Sequence, residues 1–377
     1  MGVTLCHLSA LDVVRILRAE SVELSELDTA QLAKPSTWTS KRWCAREFAK
    51  NVWRWPQPSQ AQHLHILIGN RNDRVRLSTV DSHIITRKLP NGSILRVDAN
   101  TCIVCPELLF AQLAEVFSLP ALVMLGYELC GHFSRNALDP LNGNVTMELS
   151  PVTSVDDIRG YLDMVPGIRG VMLAREALRY VYDHAVSPPE GLLATMYSLP
   201  FEESGYGLGP VTLNEKVDVS DADSSAPRFR YPDLQFSFAP LGINYDGEED
   251  HLDLDGLIKA AQHVCSADAK DVEEARRDLA AKYEQVRGKV VDDKLRNAQL
   301  ASSGKIIFPA TKEDLSDGES LDRFTRLLLG CASTVFGVDT TEWIQRLDNT
   351  EEKRDRNALL RELSPGGMPR GASHGVL

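Results

Sequence analysis

The sequence predicts a mixed α/β (α+β) protein of more than one domain, and three observations carry that expectation. At 377 residues, with 43% hydrophobic and 25% charged side chains, the chain is long enough and apolar enough for two packed cores. Short β-rich runs divided by Gly-Asn, Asn-Asp and Asn-Gly pairs fill the stretch from His63 to Cys105, and helical periodicity takes over after Pro106. Residues 233 to 246 alternate polar and apolar side chains on either side of Ala239-Pro240, the pattern of a hairpin buried on one face.

Taken in order, SALDVVRILRAESVEL reads as a short helix that Ser9 could cap. Between Ser40 and Trp55, Arg42, Arg46, Lys50 and Arg54 recur every fourth residue, which aligns them along one side of a helix with Trp43, Phe48 and Trp53 elsewhere on it. That stripe is either a solvated face or a phosphate-contacting one. The β-rich runs then form a small sheet, PELLFAQLAEVFSLPALVMLGYELCGHF reads as helical, and SVDDIRGYLDMV and GVMLAREALRYVYDHA follow as two more helices. After Ser187-Pro188-Pro189 come a helix, the glycine-rich turn SGYGLGP, the strand-like VTLNEKVDV, the hairpin, a long charged helix from about Leu254 to Leu300, the strand KIIFPAT and a last pair of helices. The expected organisation is a smaller N-terminal domain over 1–145, a helical connector over 146–187, a second domain over 188–365 and a disordered tail over 366–377.

Charge is unevenly distributed. Residues 1–100 hold 14 Lys+Arg against 9 Asp+Glu, whereas the remainder hold 27 against 44, within a net charge of -12. A uniformly basic nucleic-acid-coating surface is excluded, and any nucleic-acid contact should begin in the N-terminal part. No apolar run approaches the roughly 20 residues of a membrane span, and MGVTLCHLSALDVVRIL lacks a basic leader with a small-residue cleavage site. The expectation is a cytoplasmic protein with no membrane partner. The odd count of seven cysteines suits reduced thiols.

In the hairpin, pairing Phe238 with Leu241 sets Asp233 across from Asp246, Gln235 from Asn244 and Ser237 from Gly242, all on one face. The other face carries Leu234, Phe236, Phe238, Leu241, Ile243 and Tyr245. Two carboxylates and an amide converging on a sheet face call for a cation or a basic side chain among them, and oxygen ligands suit Mg²⁺, unless the face is simply solvated.

Pro232-Asp233, a tight turn, a hydrophobic strand ending Tyr245-Asp246-Gly247 and the nearby His251 resemble the restriction-endonuclease-like PD-(D/E)XK superfamily, particularly its very-short-patch-repair-like branch. The likeness covers roughly residues 187 to 362. It implies a restriction-endonuclease-like mixed sheet flanked by helices. It also implies Mg²⁺-dependent cleavage of DNA or RNA, with Glu190, Asp233 and Asp246 as metal ligands, Asn244 orienting the ion or water, and His251 or Arg296 assisting the phosphate. Asn244 stands where that pattern has a central Glu, so the resemblance allows either a working site or a decayed one whose fold serves nucleic-acid binding or regulation. The β-rich N-terminal part ending VCPELLFAQLA is similar to AbiEi antitoxin-like proteins, which implies a toxin–antitoxin or phage-defence setting, a partner toxin, and Arg42, Arg46, Lys50 and Arg54 as the nucleic-acid contacts.

Other motifs read as structural. Cys102 and Cys105 form a CxxC that Cys130 and His132 could complete as a metal site, but core thiols fit the apolar run better. His63 and His65 alternate along a strand and share a face with no third ligand nearby in sequence. GYGLGP lacks the frame of a dinucleotide loop and reads as a turn. In Tyr127-Glu128-Leu129-Cys130-Gly131-His132 no orienting third group marks a nucleophile.

Overall fold

In the computed structural model, which describes residues 3–32, 54–219, 228–246, 259–264 and 271–364, the chain is a mixed α/β protein with mixed sheets flanked by helices. It divides into two units, one of residues 1–207 and 361–377 and the other of residues 208–360. The division therefore lies about twenty residues beyond the expected start of the second domain at 188. The helix that begins there packs into the first unit: Thr195 bonds Met124 Sδ at 3.2 Å, and a Cβ on Gly191 would stand 3.2 Å from Tyr127 Cβ.

The first unit is built on a five-stranded sheet of order β3-β2-β1-β5-β4, with β1 (Val3–Leu5), β2 (Leu64–Ile68), β3 (Val80–Ile84), β4 (Ile94–Arg96) and β5 (Thr101–Val104). β1 is buried throughout and lies at the centre, antiparallel to β2 and parallel to β5, as a strand covered on both faces should. β2 and β3 run parallel, with Leu64 opposite Val80. Asp98 closes the β4–β5 turn by accepting bonds from the Asn100 and Thr101 amides, each 2.8 Å.

The helix α1 (His7–Ala19) buries Leu11, Val13, Val14 and Leu17, and also two arginines. Arg15 makes a bidentate pair with Glu128 at 2.8 and 2.7 Å, and Arg18 donates to the carbonyls of Glu128, Gly131 and Phe133. Burial alone would push the Glu128 carboxyl up, but the Arg15 guanidinium together with the charge and backbone N–H of Arg135 outweighs it and holds the group at about 2. The long helical stretch expected from Pro106 is two helices, α2 (Pro106–Leu113) and α3 (Leu119–Leu129). Ser118 caps the second through the Ala121 amide, and Pro120 sits in its first turn, where a missing N–H costs nothing. α4 (Val155–Met164), α5 (Val171–Ala177) and α6 (Pro188–Ser198) follow in the same unit. Gly170 opens α5 at φ 80°, and a Cβ there would meet Ala111 O at 2.4 Å, so only glycine fits.

The second unit holds a four-stranded sheet of order β11-β10-β9-β6 and a two-stranded one, β7-β8. The strands are β6 (Val211–Leu213), β7 (Val217–Asp218), β8 (Phe229–Arg230), β9 (Leu234–Phe236), β10 (Leu241–Asp246) and β11 (Ile306–Thr311). The run VTLNEKVDV breaks into β6 and β7 at Asn214, which takes φ 49°, a conformation asparagine tolerates. β10 pairs antiparallel with β9 and parallel with β11, and the long α7 (Val272–Ser302) lies between β10 and β11 in sequence. α8 (Gly318–Phe336), α9 (Thr341–Asp348) and α10 (Thr350–Leu363) follow.

The hairpin forms, with a register different from the expected one. Ile243 faces Leu234 and Gly242 faces Gln235, a slide of two residues. Its cause is the turn: Leu241 N bonds Ala239 O at 2.7 Å, closing a three-residue turn about Pro240, and Ser237 N turns away to Pro210 O. Because side chains alternate with a period of two, this slide leaves each residue on its expected face. Leu234 and Ile243 lie on the apolar face, where Phe308 of β11 meets Phe324 of α8 edge-on at 6.3 Å. On the opposite face, Ile307 packs with Leu300 of α7, Val217 and Val219. The sheet is thus covered by α8 on one side and by the end of α7 on the other.

Candidate functional site

The polar face of the hairpin carries Asp233, Gln235, Asn244 and Asp246, and in the slid register Asn244 stands opposite Asp233. These two are locked reciprocally. Asn244 Oδ1 accepts the Asp233 amide N–H at 3.1 Å, and Asp233 Oδ2 accepts the Tyr245 amide N–H at 2.6 Å. Both amides are part-buried, and the two side chains supply them with acceptors. Asn244 is 3% exposed.

α7 brings a matching polar stripe. Asp292, Asp293, Arg296 and Gln299 recur along one side of it. Arg296 lies 3.8 Å from Asp246 and 3.1 Å from Asp293, and Arg230 of β8 donates to Gln299 at 2.8 Å and to Asp292 at 3.0 Å. Lys305 donates to Gln235, whose amide donates in turn to Glu215 O at 3.2 Å. Each carboxylate of the layer therefore meets a cation or backbone N–H. Among the described residues, two donors of this face, Asn244 Nδ2 and Arg296 Nε, are buried without a hydrogen bond, and the acceptor Asp246 Oδ1 meets the Arg296 guanidinium only at 3.8 Å, beyond hydrogen-bond reach.

Of the residues expected at this site, Asp233, Asn244, Asp246 and Arg296 come together in the second unit. Glu190 belongs to the first unit and is fully employed there. As the third helical residue of α6 it accepts the Val186 amide at 3.1 Å and the Ser187 hydroxyl at 2.8 Å, while Ser187, the residue before the helix, accepts the Glu190 amide at 3.4 Å. This is a variant of the capping box in which the glutamate reaches the amide one residue before the cap, and it accounts for a buried glutamate at that place. His251 lies outside the described residues, as do Arg42, Arg46 and Lys50. Arg54 is described: it pairs with Glu20 and stacks over the Trp55 ring at 4.6 Å.

The fit to Mg²⁺ can be tested on the donor set. Asn244 turns the oxygen that would bind an ion onto a backbone N–H, Asp233 gives one carboxylate oxygen to another, and Asp246 faces a guanidinium. A hard cation needs several free oxygens at about 2.1 Å in octahedral array. Among the described residues this face offers carboxylate oxygens of Asp233 and Asp246 alone, with Asn244 turned onto a backbone N–H and Arg296 set against Asp246, which falls short of an octahedral oxygen set.

A second cluster went unread in the sequence. His63 and His65 do share a face of β2, but partners arrive from elements distant in sequence. His83 on the adjacent β3 places a ring nitrogen 2.9 Å from His65, and His63 meets Asp81 at 3.0 Å. His7, at the start of α1, stacks on His83 with ring centroids 3.7 Å apart. Burial, reinforced by the neighbouring His83 and His65, drives the His7 pKa down to about 3; burial and His83 take His65 to about 4. Cys6 adjoins, its thiol pushed well up by burial. The signal available in the sequence was the alternation of His63 with His65 and of Asp81 with His83 on runs of strand composition.

The CxxC pair behaves as packing. Cys102, Cys105 and Cys130 are buried free thiols, and among the described residues they do not gather with His132 into a ligand group. Burial raises all three thiol pKa values. SGYGLGP forms a turn at the end of the first unit, with Gly207 at φ 61°. Among the described residues, no helix is long and apolar enough to cross a membrane. Comparison with protein-family models, with curated proteins and with solved structures finds no match to this chain.

Proposed function

We propose that the second unit is a nuclease-like module, of the restriction-endonuclease-like kind, that binds nucleic acid without cleaving it, in a toxin–antitoxin or phage-defence setting. The observation that carries this reading is the reciprocal lock of Asp233 and Asn244 beside the Asp246–Arg296 contact. Residues resembling a metal-dependent active site sit on one sheet face, where Asn244 Oδ1 and Asp233 Oδ2 are taken up by backbone N–H groups and Asp246 faces the Arg296 guanidinium. The Arg296 guanidinium, still partly exposed, suits an acceptor such as a phosphate oxygen. Binding of this kind would be dominated by phosphate contacts and would weaken steeply with salt.

The grouping of Asp233, Asn244, Asp246 and Arg296 also favours a second reading, an endonuclease that opens this face on binding Mg²⁺ or Mn²⁺. One experiment separates the two. The full-length chain is incubated with single- and double-stranded DNA and RNA in Mg²⁺ or Mn²⁺, and cleavage and retention are followed at several salt concentrations. Intact substrate with salt-sensitive retention that falls in Arg296→Ala supports the binding module. Cleavage that disappears in Asp246→Asn supports the enzyme, and neither retention nor cleavage overturns both.

A further inference from the structure

The first unit carries a ligand set that the nuclease-like reading does not use. We propose that Cys6, His7 and His83 form a binding site for a transition-metal ion of borderline softness, of which Zn²⁺ is the type, with His65 orienting His83 through its ring. Each of the three residues offers one ligand atom, and these atoms all lie within 4.8 Å of one another. In a tetrahedral zinc site with bonds of about 2.0 Å to nitrogen and about 2.3 Å to sulfur, ligand atoms stand roughly 3.3–3.8 Å apart. His7 and His83 are stacked with ring centroids 3.7 Å apart, so binding requires one of the two rings to turn out of the stack until both in-plane nitrogens face the ion.

The backbone is shaped for this convergence. Cys6 and His7 are consecutive, and successive side chains in extended chain point to opposite sides. Here Cys6 is extended at φ -146° and His7 takes φ 49°, a left-handed conformation that a non-glycine residue adopts at some cost. This turn lets two adjacent side chains reach one point at the junction of β1 and α1. His83 comes from β3, two strands away in the sheet, so the site would tie the sheet's edge to the start of the helix.

One atom of the cluster has no partner. His7 is 3% exposed, and among the described residues its Nδ1 is buried without a hydrogen bond. Buried ring nitrogens normally find a partner, and a metal bond would provide it. The contact of His65 with His83 is the arrangement that holds a ligating imidazole in one tautomer and orientation. Sulfur and nitrogen donors select zinc-like ions over Mg²⁺ or Ca²⁺. On binding, the Cys6 thiol gives its proton to solvent and the thiolate takes the metal.

The test uses the tag-free full-length chain, stripped with a chelator and titrated with Zn²⁺ and with Co²⁺ as the spectroscopic probe. Near-stoichiometric binding is expected, with a sulfur-to-cobalt charge-transfer band and the visible bands of a tetrahedral site. The charge-transfer band should vanish in Cys6→Ser and persist in Cys102→Ser, a buried thiol outside the cluster. His83→Asn, at a half-buried strand position, should lower Zn²⁺ affinity at least about tenfold, and His65→Asn should lower it less. Should Cys6→Ser not fold by circular dichroism, His83→Asn decides. A folded wild-type chain without the charge-transfer band, or folded variants of Cys6 and His83 that bind as wild type does, overturns the proposal.

Discussion

Asn244 accepts the backbone N–H of Asp233 across the hairpin, and Asp233 reaches back past it to accept the N–H of Tyr245. An amide in this place therefore does structural work that requires its oxygen. A carboxylate at position 244 would stand against Asp233 in a buried layer, where like charges are poorly screened.

Asn244→Glu should accordingly lower stability by about 1–3 kcal/mol in the presence of a chelator, read from the urea midpoint. Mg²⁺ should restore part of the loss, because it would supply the missing positive charge. A variant as stable as wild type in chelator would show that the lock contributes little.

Glu190 is assigned to helix capping. Glu190→Ala and Ser187→Ala should each cost about 1 kcal/mol, and the double variant should cost less than their sum, because the two side chains bond one another at 2.8 Å. Neither should change nucleic-acid retention. Strict additivity, or lost retention in a folded Glu190→Ala, would return this residue to the functional set.

Arg356 and Asp322 form a bidentate pair at 2.9 and 3.0 Å within the second unit, with both side chains almost inaccessible. Removing one partner strands a buried charge and should cost about 3–5 kcal/mol, whereas Arg356→Met with Asp322→Leu should recover most of it. A double-mutant cycle from denaturant unfolding measures the coupling.

The Arg15–Glu128 pair in the first unit sets an acid limit. Glu128 is held at about 2 in the folded chain against an ordinary 4.5, so the unfolded chain binds the proton more readily. Its stabilisation is present in full above 4.5 and is lost as the pH falls from there towards 2. Arg15→Met should reduce stability near neutrality and flatten this part of the profile. An unchanged slope below pH 4.5 would remove Glu128 from the explanation.

The hairpin faces were legible because alternation is a local property: a slide of two residues preserves them, and Leu234 and Ile243 lie on the apolar face as expected. The register was not legible, because it depends on how tightly Pro240 turns and on Ser237 being drawn to Pro210. Position along the chain likewise grouped Glu190 with Asp233, whereas its own capping box holds it in the first unit. The histidine cluster was hidden for the opposite reason. His7, His65 and His83 are far apart in sequence, and only parallel pairing of β2 with β3 and the entry of α1 bring them together. The basic stripe expected at Arg42, Arg46 and Lys50 lies outside the described residues, and its fourth member, Arg54, is engaged with Glu20.

The most direct test of the closed polar face is Mn²⁺ binding followed by electron paramagnetic resonance, comparing wild type, Asp246→Asn and Asn244→Glu. The lock predicts that Asp246→Asn binds Mn²⁺ no differently from wild type, and that Asn244→Glu gains an additional bound ion. A bound ion in wild type that Asp246→Asn abolishes would contradict it and identify Asp233, Asn244 and Asp246 as a working metal site.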